Sequence, residues 1–161
     1  MKFKNLYELF VGELKDLYDA EHQIVKALPK LKKAASSDEL QGAFDEHLQQ
    51  TKTHIERLEE VFELIEEKAK RETCDAMKGL ISEGDEIIEE NDPSSALDAA
   101  LIAAAQRVEH YEMAGYGTVR TYAQLLGHQD AANLLQETLD EEGETDKKLT
   151  RLAEEVNPEA V

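Results

Sequence analysis

The chain carries apolar residues every three or four positions along four long segments, and this spacing limits it to a bundle of amphipathic helices. The first such stripe reads Phe10, Leu14, Leu17, Glu21, Ile24, Leu28 and Leu31. Similar stripes run over residues 44–65, 97–115 and 135–156. The helix-favouring residues Ala, Leu, Glu, Lys and Gln dominate the composition. The sequence therefore predicts an all-α fold.

Each stripe is interrupted or flanked near its middle by a side chain of the kind that binds metal ions. Glu21 and Glu142 stand within the first and last stripes, at positions where Leu or Ile is expected. The second and third stripes are flanked by such residues instead, namely His47, His54, Glu109 and Glu112. A carboxylate that is buried without a partner is strongly destabilising. All four predicted helices carry such a side chain near the middle of the apolar stripe, which suggests that one group compensates for all of them. We infer that this group is a metal centre.

Helix start and stop signals divide the chain into five predicted helices. Asn5 and Ser36 are predicted N-caps, and Gly127 is a predicted helix end. The five helices are expected to cover residues 5–34, 37–70, 72–90, 94–126 and 129–156. Short turns join two pairs of long helices as hairpins, and a long connection with a short helix links the pairs. This order predicts a ferritin-like four-helix bundle with one long crossover carrying a short fifth helix.

Length and charge limit the other possibilities. A single domain over residues 1–161, with an ordered core of about 5–156, is expected from the chain length. The sequence has no apolar run long enough for a membrane span and no signal-peptide pattern near its N-terminus. Together with a single cysteine, Cys74, these features predict a cytoplasmic protein. The formal net charge of −18 argues against nucleic-acid binding, which needs a basic surface.

The polar residues of the four helices match the needs of a di-metal site. Carboxylate-bridged di-metal centres in bundles draw Glu from all four helices and His from two of them. The carboxylates neutralise two divalent cations, and imidazoles complete the coordination. Antiparallel packing at about 1.5 Å rise per residue places the candidates at similar depth. The candidate ligands are Glu21, His47, Gln50, His54, Glu109, Glu112, Glu142 and Asp146.

Each candidate also has a simpler interpretation. Glu21 alone could pair with a lysine at the edge of the bundle, and His47 alone could be a hydrogen-bonded core histidine. Glu109 and Glu112 flank their stripe on opposite sides, so that one of them could face solvent. Residues 141–144 form an acidic run, and such runs are commonly solvated. Tyr residues near the predicted centre, among them Tyr18, Tyr111 and Tyr116, are expected to be core aromatics, with a redox or proton role as the alternative.

Several segments resemble a known family. The chain is similar to the small bacterial stress-response ferritin-like proteins of the YciE/YciF type, from about residue 5 to residue 156. The segments that carry this resemblance are Leu17–Glu21, His47–Thr51, Ile55–Arg57, Ala99–Glu112, Leu139–Glu142 and Thr145–Asp146. The resemblance implies a ferritin-like bundle, a homodimer and a metal-binding interior with a ferroxidase-like role.

The sequence departs from the ferritin pattern at two places. Gln50 stands where a carboxylate is expected, and the last helix has no histidine. Our hypothesis is a di-metal protein that holds two ions, or one, of iron or manganese and that reacts with oxygen or peroxide. Its closest ligands would be Glu21, His54, Glu109, Glu112 and Glu142, with His47, Gln50 and Asp146 as ligands or their partners. The alternative is a non-enzymatic structural stress protein that acts through its dimer surface and has a vacant or degenerate metal site.

Overall fold

The computed structural model describes residues 2–161 and consists, over that range, of α-helices and one short 3-10 helix, without any strand. All five predicted helices are present. Their bounds are α1 Leu6–Ala34, α2 Asp38–Leu64, α3 Asp75–Glu90, α4 Ser95–Leu125 and α5 Gln129–Val156, followed by the 3-10 helix Asn157–Ala160.

The four long helices form a closed bundle. α1 packs against α2, and α4 packs against α5, as the two predicted hairpins. Contacts of α2 with α5 and of α1 with α4 complete the bundle. The crossover helix α3 lies against α1 and α4 on the outside. The prediction of an all-α, ferritin-like bundle with one long crossover is therefore confirmed.

Side chains cap the starts of α1 to α4, and the helix bounds follow the sequence prediction with two main differences. Asn5 caps α1 by accepting a hydrogen bond from the Glu8 N–H at 2.8 Å. Ser37, rather than Ser36, caps α2 by accepting from Leu40 N–H. α2 also ends at Leu64 instead of residue 70, because Glu66 adopts a left-handed conformation with φ of 58° that terminates the helix.

The Ser36 backbone N–H donates to Asp98 instead. Asp98 is buried near the start of α4, and its carboxylate accepts from Ser36 N–H at 2.7 Å and from Ser37 N–H at 2.9 Å. This carboxylate thereby joins the turn between α1 and α2 to the second hairpin.

We expect Asp98→Ala to lower the free energy of unfolding by about 2–4 kcal/mol, because two N–H groups of the turn lose a charged acceptor. Urea denaturation of the metal-free protein measures this difference. Asp92→Ala, at an exposed position before α4, is the matched control and should change stability by less than about 0.5 kcal/mol. Equal stability of the two variants would show that the Asp98 contacts are unimportant.

The apolar core is divided into two clusters by a polar layer. One cluster surrounds Phe10, Leu58, Phe62, Val119 and Leu135, and the other surrounds residues of the opposite half of the bundle, Ile24, Leu40, Phe44, Leu101 and Leu149. The chain crosses from one cluster to the other near the middle of each long helix. The candidate ligands lie at these crossings.

The helices give no sign of a membrane-spanning segment. Among the described residues, none of the helices combines the length and the apolar character that crossing a bilayer requires.

Candidate metal centre

The polar layer contains two groups of potential ligands that share one residue. One group comprises His47, Glu109, Glu112 and Glu142, and the other comprises Glu21, His54 and Glu142. Within each group, one ligand atom from every residue lies within 4.8 Å of the others. All six residues are buried, and Glu142 belongs to both groups.

Each of the four long helices contributes one or two side chains to this cluster. Glu21 projects from α1 and Glu142 from α5. His47 and His54, two helical turns apart, lie on one face of α2. Glu109 and Glu112, at i and i+3, lie on one face of α4. The total of four carboxylates and two imidazoles equals that of the di-metal bundles, although it is distributed differently among the helices.

Gln50 therefore does not lower the number of carboxylates in the centre. The second carboxylate of α4, Glu112, offsets the one that α2 lacks. The alternative in which one of Glu109 and Glu112 faces solvent is excluded, because both residues have 0% exposure. The absent histidine of α5 is offset in the same way, since α2 supplies both imidazoles.

Most polar atoms of the cluster have no hydrogen-bond partner. Nine such buried atoms belong to its six residues: Glu21 Oε2, His47 Nε2, His54 Nδ1 and both carboxylate oxygens of Glu109, Glu112 and Glu142. Outside the cluster, Arg120 Nε is the one further buried side-chain atom without a partner among the described residues. Native proteins leave few buried polar groups unsatisfied. A cation coordinated by these oxygen and nitrogen atoms would satisfy them, so the residues present fit a metal.

His54 is held in place from the side that faces away from the cluster. Its Nε2 lies 2.8 Å from Glu141 Oε2, and Arg57 fixes Glu141 by donating to both carboxylate oxygens at 3.0 and 3.1 Å. On the inner side, Nδ1 lies 3.0 Å from Glu142 Oε1, where a protonated His54 donates to the carboxylate. A neutral His54 that donates from Nε2 would instead leave the Nδ1 lone pair free for a cation. Carboxylate–imidazole pairs of this kind orient histidine ligands in metal proteins.

A tyrosine holds Glu21 in a comparable way. The hydroxyl of Tyr116, one helical turn after Glu112 on α4, donates to Glu21 Oε1. Burial, and then the nearby Glu21, raise the pKa of Tyr116 well above its ordinary value. The phenol therefore remains protonated and continues to act as a donor. The prediction that Tyr116 is a core aromatic is confirmed by its 0% exposure.

In the metal-free protein, the cluster carries less charge than four ionised carboxylates would give. Burial raises the pKa of Glu109 and of Glu112 well above 4.5, and repulsion from Glu142 adds to it. Burial also raises the pKa of Glu21, although His54 acts against it. Burial disfavours an ionised Glu142 as well, but the contact with His54 outweighs it and lowers the pKa of Glu142.

The two histidines differ in their protonation. Burial disfavours a charged His54, but Glu142 and Glu21 outweigh burial and raise the pKa of His54 to about 10. Burial lowers the pKa of His47 below its ordinary value of 6.5. The metal-free centre is therefore built around a protonated His54 and an ionised Glu142.

Two of the predicted ligands lie outside both groups. Gln50 is half-buried, and its side-chain oxygen accepts a 3.4 Å hydrogen bond from Thr145. Asp146 accepts from Gln106 at 3.1 Å and lies 3.3 Å from His110 Nε2. A role for either residue in metal binding stays a prediction.

Glu141 and Arg57 are two residues of the site that sequence reasoning missed. Glu141 is one residue before Glu142, and its position within an acidic run hid its contact with His54. Arg57 lies one turn after His54 on α2, which places the two side chains on the same side of the helix. The spacing of His54 and Arg57 was the one signal in the sequence. It does not reveal a role for Arg57 by itself, because Arg57 acts on His54 through Glu141 of another helix.

We expect Glu141→Ala to weaken metal binding by about 10- to 100-fold, because His54 loses the carboxylate that orients it. Isothermal titration with Mn²⁺ measures the affinity. Asp140→Ala, which removes the exposed carboxylate next to Glu141 on α5 and leaves the contacts of His54 and Arg57 intact, is the control. An unchanged affinity in Glu141→Ala would exclude this role.

The fold and the buried carboxylate–imidazole layer define a ferritin-like helical-bundle protein. More specifically, the chain belongs to the family described as a domain of unknown function, DUF892, whose model matches residues 5–161. It is 50% identical to Protein YciF of Escherichia coli K12 over 154 residues, which cover 95% of this chain and 93% of that protein. The predicted resemblance is thereby confirmed.

Solved structures agree with this assignment. The crystal structure of the E. coli stress protein YciF superposes with a TM-score of 0.94 at 48% identity, covering 97% of this chain and 99% of the other. YcfI from Rhodopseudomonas palustris superposes with a TM-score of 0.89 at 41% identity, covering 91% and 94% of the two chains.

Proposed function

We propose that this protein binds two divalent transition-metal ions, iron or manganese, in the interior of the bundle and reacts there with dioxygen or peroxide during stress. The observation that carries the proposal is the pair of ligand groups that share Glu142, together with nine buried atoms that lack partners. The description of the E. coli relative as a stress protein supports the physiological setting.

The donor set favours these metals. Carboxylate oxygens and imidazole nitrogens suit iron and manganese, whereas a soft-metal site would use thiolates. In this proposal His47, Glu109 and Glu112 would hold one ion and Glu21 and His54 the other, while Glu142 belongs to both groups. Four ionised carboxylates would match the charge of two divalent cations. Bound iron would supply reversible ferrous–ferric chemistry.

The side chains around the ligands prepare the site. Glu141 and Arg57 hold the imidazole of His54, and the Tyr116 hydroxyl holds the carboxylate of Glu21. The two apolar clusters exclude bulk water on either side of the layer. Because burial raises the pKa of Glu109 and of Glu112, a cation must compete with protons for these carboxylates.

Anaerobic metal loading tests this proposal. Protein purified without metal is dialysed against Fe²⁺ or Mn²⁺, and bound metal is measured by atomic emission. We expect close to two equivalents per chain, followed by oxidation of the bound Fe²⁺ when air or peroxide is admitted. Less than about 0.2 equivalents of either metal would contradict the proposal, since it would show that protons and the His54–Glu142 pair satisfy the buried ligand atoms without an ion.

A second candidate function is a non-enzymatic role in which the protein acts through the surface of a homodimer. The R. palustris relative, described as a candidate structural protein, favours it. The same loading experiment separates the two functions. Two bound metals with no change in the rate of Fe²⁺ oxidation relative to free Fe²⁺ would support a structural metal site, while rapid oxidation would support the proposed chemistry.

A further inference from the structure

An apolar cavity of about 40 Å³ lies beside the metal centre, between α1, α3 and α4. A buried water molecule needs about 10–15 Å³ on this scale, so the cavity has room for one or two diatomic molecules. Its walls are mainly aliphatic, with Ile24 and Leu28 from α1, Ile81 from α3 and Val108 from α4. The cavity is partly open toward the outer side of the bundle, and its aliphatic walls favour apolar atoms or molecules over water.

The cavity connects the centre with the outer side of the bundle. At its inner end it is lined by His47 and Glu109, which belong to one of the two ligand groups. At its outer end it is lined by the partly exposed residues Ile81 and Asp85 of the crossover helix. A shallow surface depression shares Ala27 and Ile81 with the cavity, which marks the side on which solvent approaches.

We propose that this cavity is the binding site and route by which dioxygen reaches the metal centre, an inference that rests on the proposed function. Dioxygen is small and apolar, so the aliphatic walls bind it without the loss of any hydrogen bond. Hydrogen peroxide would have to give up its hydrogen bonds to water in the same space. The crossover helix thus has a function beyond connecting the two hairpins, because it forms the outer wall of the route.

One glycine offers a way to close the route. Gly84 of α3 is buried and lines the cavity, yet a Cβ built on it meets no atom within 4 Å. A side chain introduced there would therefore enter the cavity rather than collide with the surrounding structure. Gly79, on the same helix, also leaves its Cβ free of contacts within 4 Å, but it is exposed and lies away from the cavity. Both replacements give α3 the same gain in helix propensity.

The test compares Gly84→Leu with Gly79→Leu in the metal-loaded protein. Xenon binding, followed by ¹²⁹Xe NMR on the metal-free protein, reports the cavity independently of any reaction. We expect Gly84→Leu to lose xenon binding, and to oxidise bound Fe²⁺ at least about 10-fold more slowly with subsaturating dioxygen. Its rate with hydrogen peroxide should stay within about 2-fold of the wild type. Gly79→Leu should behave as the wild type in all three measurements, and Gly84→Ala should give an intermediate effect.

The outcomes separate this inference from the function on which it rests. If wild-type protein binds two metals but no xenon, or if Gly84→Leu loses xenon yet reacts with dioxygen at the wild-type rate, the route is wrong and the metal centre stands. Equal slowing with dioxygen and with peroxide would also overturn the route, because it would indicate a general defect of the centre. If the wild type binds no metal, the proposed function fails and the route fails with it.

Discussion

Replacement of Glu142 by alanine is expected to abolish the binding of both proposed metal ions. This carboxylate is the one residue common to the two ligand groups. The removal of a residue that merely orients a ligand lowers metal affinity by about 10- to 100-fold, and the loss of a shared carboxylate should therefore weaken both sites by more than about 100-fold. Mn²⁺ titration by calorimetry or electron paramagnetic resonance measures the stoichiometry and the affinities.

Variants of the unshared ligands provide the comparison. Glu21→Ala should weaken the binding of one ion, and His47→Ala should weaken the binding of the other. Each variant should therefore retain about one equivalent of metal. Glu144→Ala is the control, because Glu144 lies two residues after Glu142 on α5 and its side chain is exposed. Two retained ions in Glu142→Ala would show that the two groups do not share this ligand.

The metal-free protein is expected to become more stable as the pH falls from about 8 to about 6.5. The pKa of His54 is raised to about 10, so its contribution to stability is complete below its ordinary pKa of 6.5 and is lost as the pH rises toward 10. Glu109 and Glu112 act in the same direction, because their raised pKa values let the folded chain keep protons that the unfolded chain releases.

The magnitude follows from proton linkage. Each proton held only by the folded state changes the free energy of unfolding by about 1.4 kcal/mol per pH unit. One such group gives about 2 kcal/mol over this range, which corresponds to a rise in Tm of roughly 4–8 °C for a chain of this size. Thermal unfolding in the presence of a chelator measures it. A Tm that instead falls between pH 8 and pH 6.5 would contradict the assigned protonation.

The stabilisation that metal binding adds should depend on pH in the opposite direction, decreasing as the pH falls. At a free metal concentration about 1,000 times the Kd, each site adds about 4 kcal/mol, or roughly 8–16 °C in Tm. Because the ligands must lose protons to bind, this gain should shrink as the pH falls. Glu112→Gln should reduce both effects, since it removes one of the titrating ligands, whereas Glu144→Gln should leave them unchanged.

The fold could be predicted from the sequence because its determinants are periodic and local. The stripe that begins at Phe10 indicates a helix with one buried face, and turn residues such as Gly127, with φ of 83°, indicate where a helix ends. The two errors concern the ends of α2, namely its N-cap residue and its last residue. Ser36 and Ser37 are adjacent and both are of a type that caps helices, and Asp98, more than 60 residues away, accepts from the backbone N–H of each. The sequence pattern alone therefore does not show which of the two side chains caps α2.

The candidate site was predictable in part. Glu21 and Glu142 interrupt apolar stripes, and a buried carboxylate at such a position is visible in the sequence alone. Residues at the edge of a stripe are harder to place, because a rotation of their helix by a few tens of degrees decides whether they face the interior. Glu112 of α4 faces the interior, whereas Asp146 of α5 lies outside both ligand groups. The Glu141–His54 contact joins residues on two helices 87 positions apart and could not be derived from the spacing within either helix.

Anomalous diffraction from crystals grown anaerobically with Mn²⁺ or Fe²⁺ shows directly whether the polar layer holds two metal ions. We expect two anomalous peaks inside the bundle. One should lie among His47, Glu109 and Glu112 and the other between Glu21 and His54, with Glu142 near both. A polar layer without any peak, or peaks confined to exposed acidic residues at the surface, would contradict the proposed metal centre.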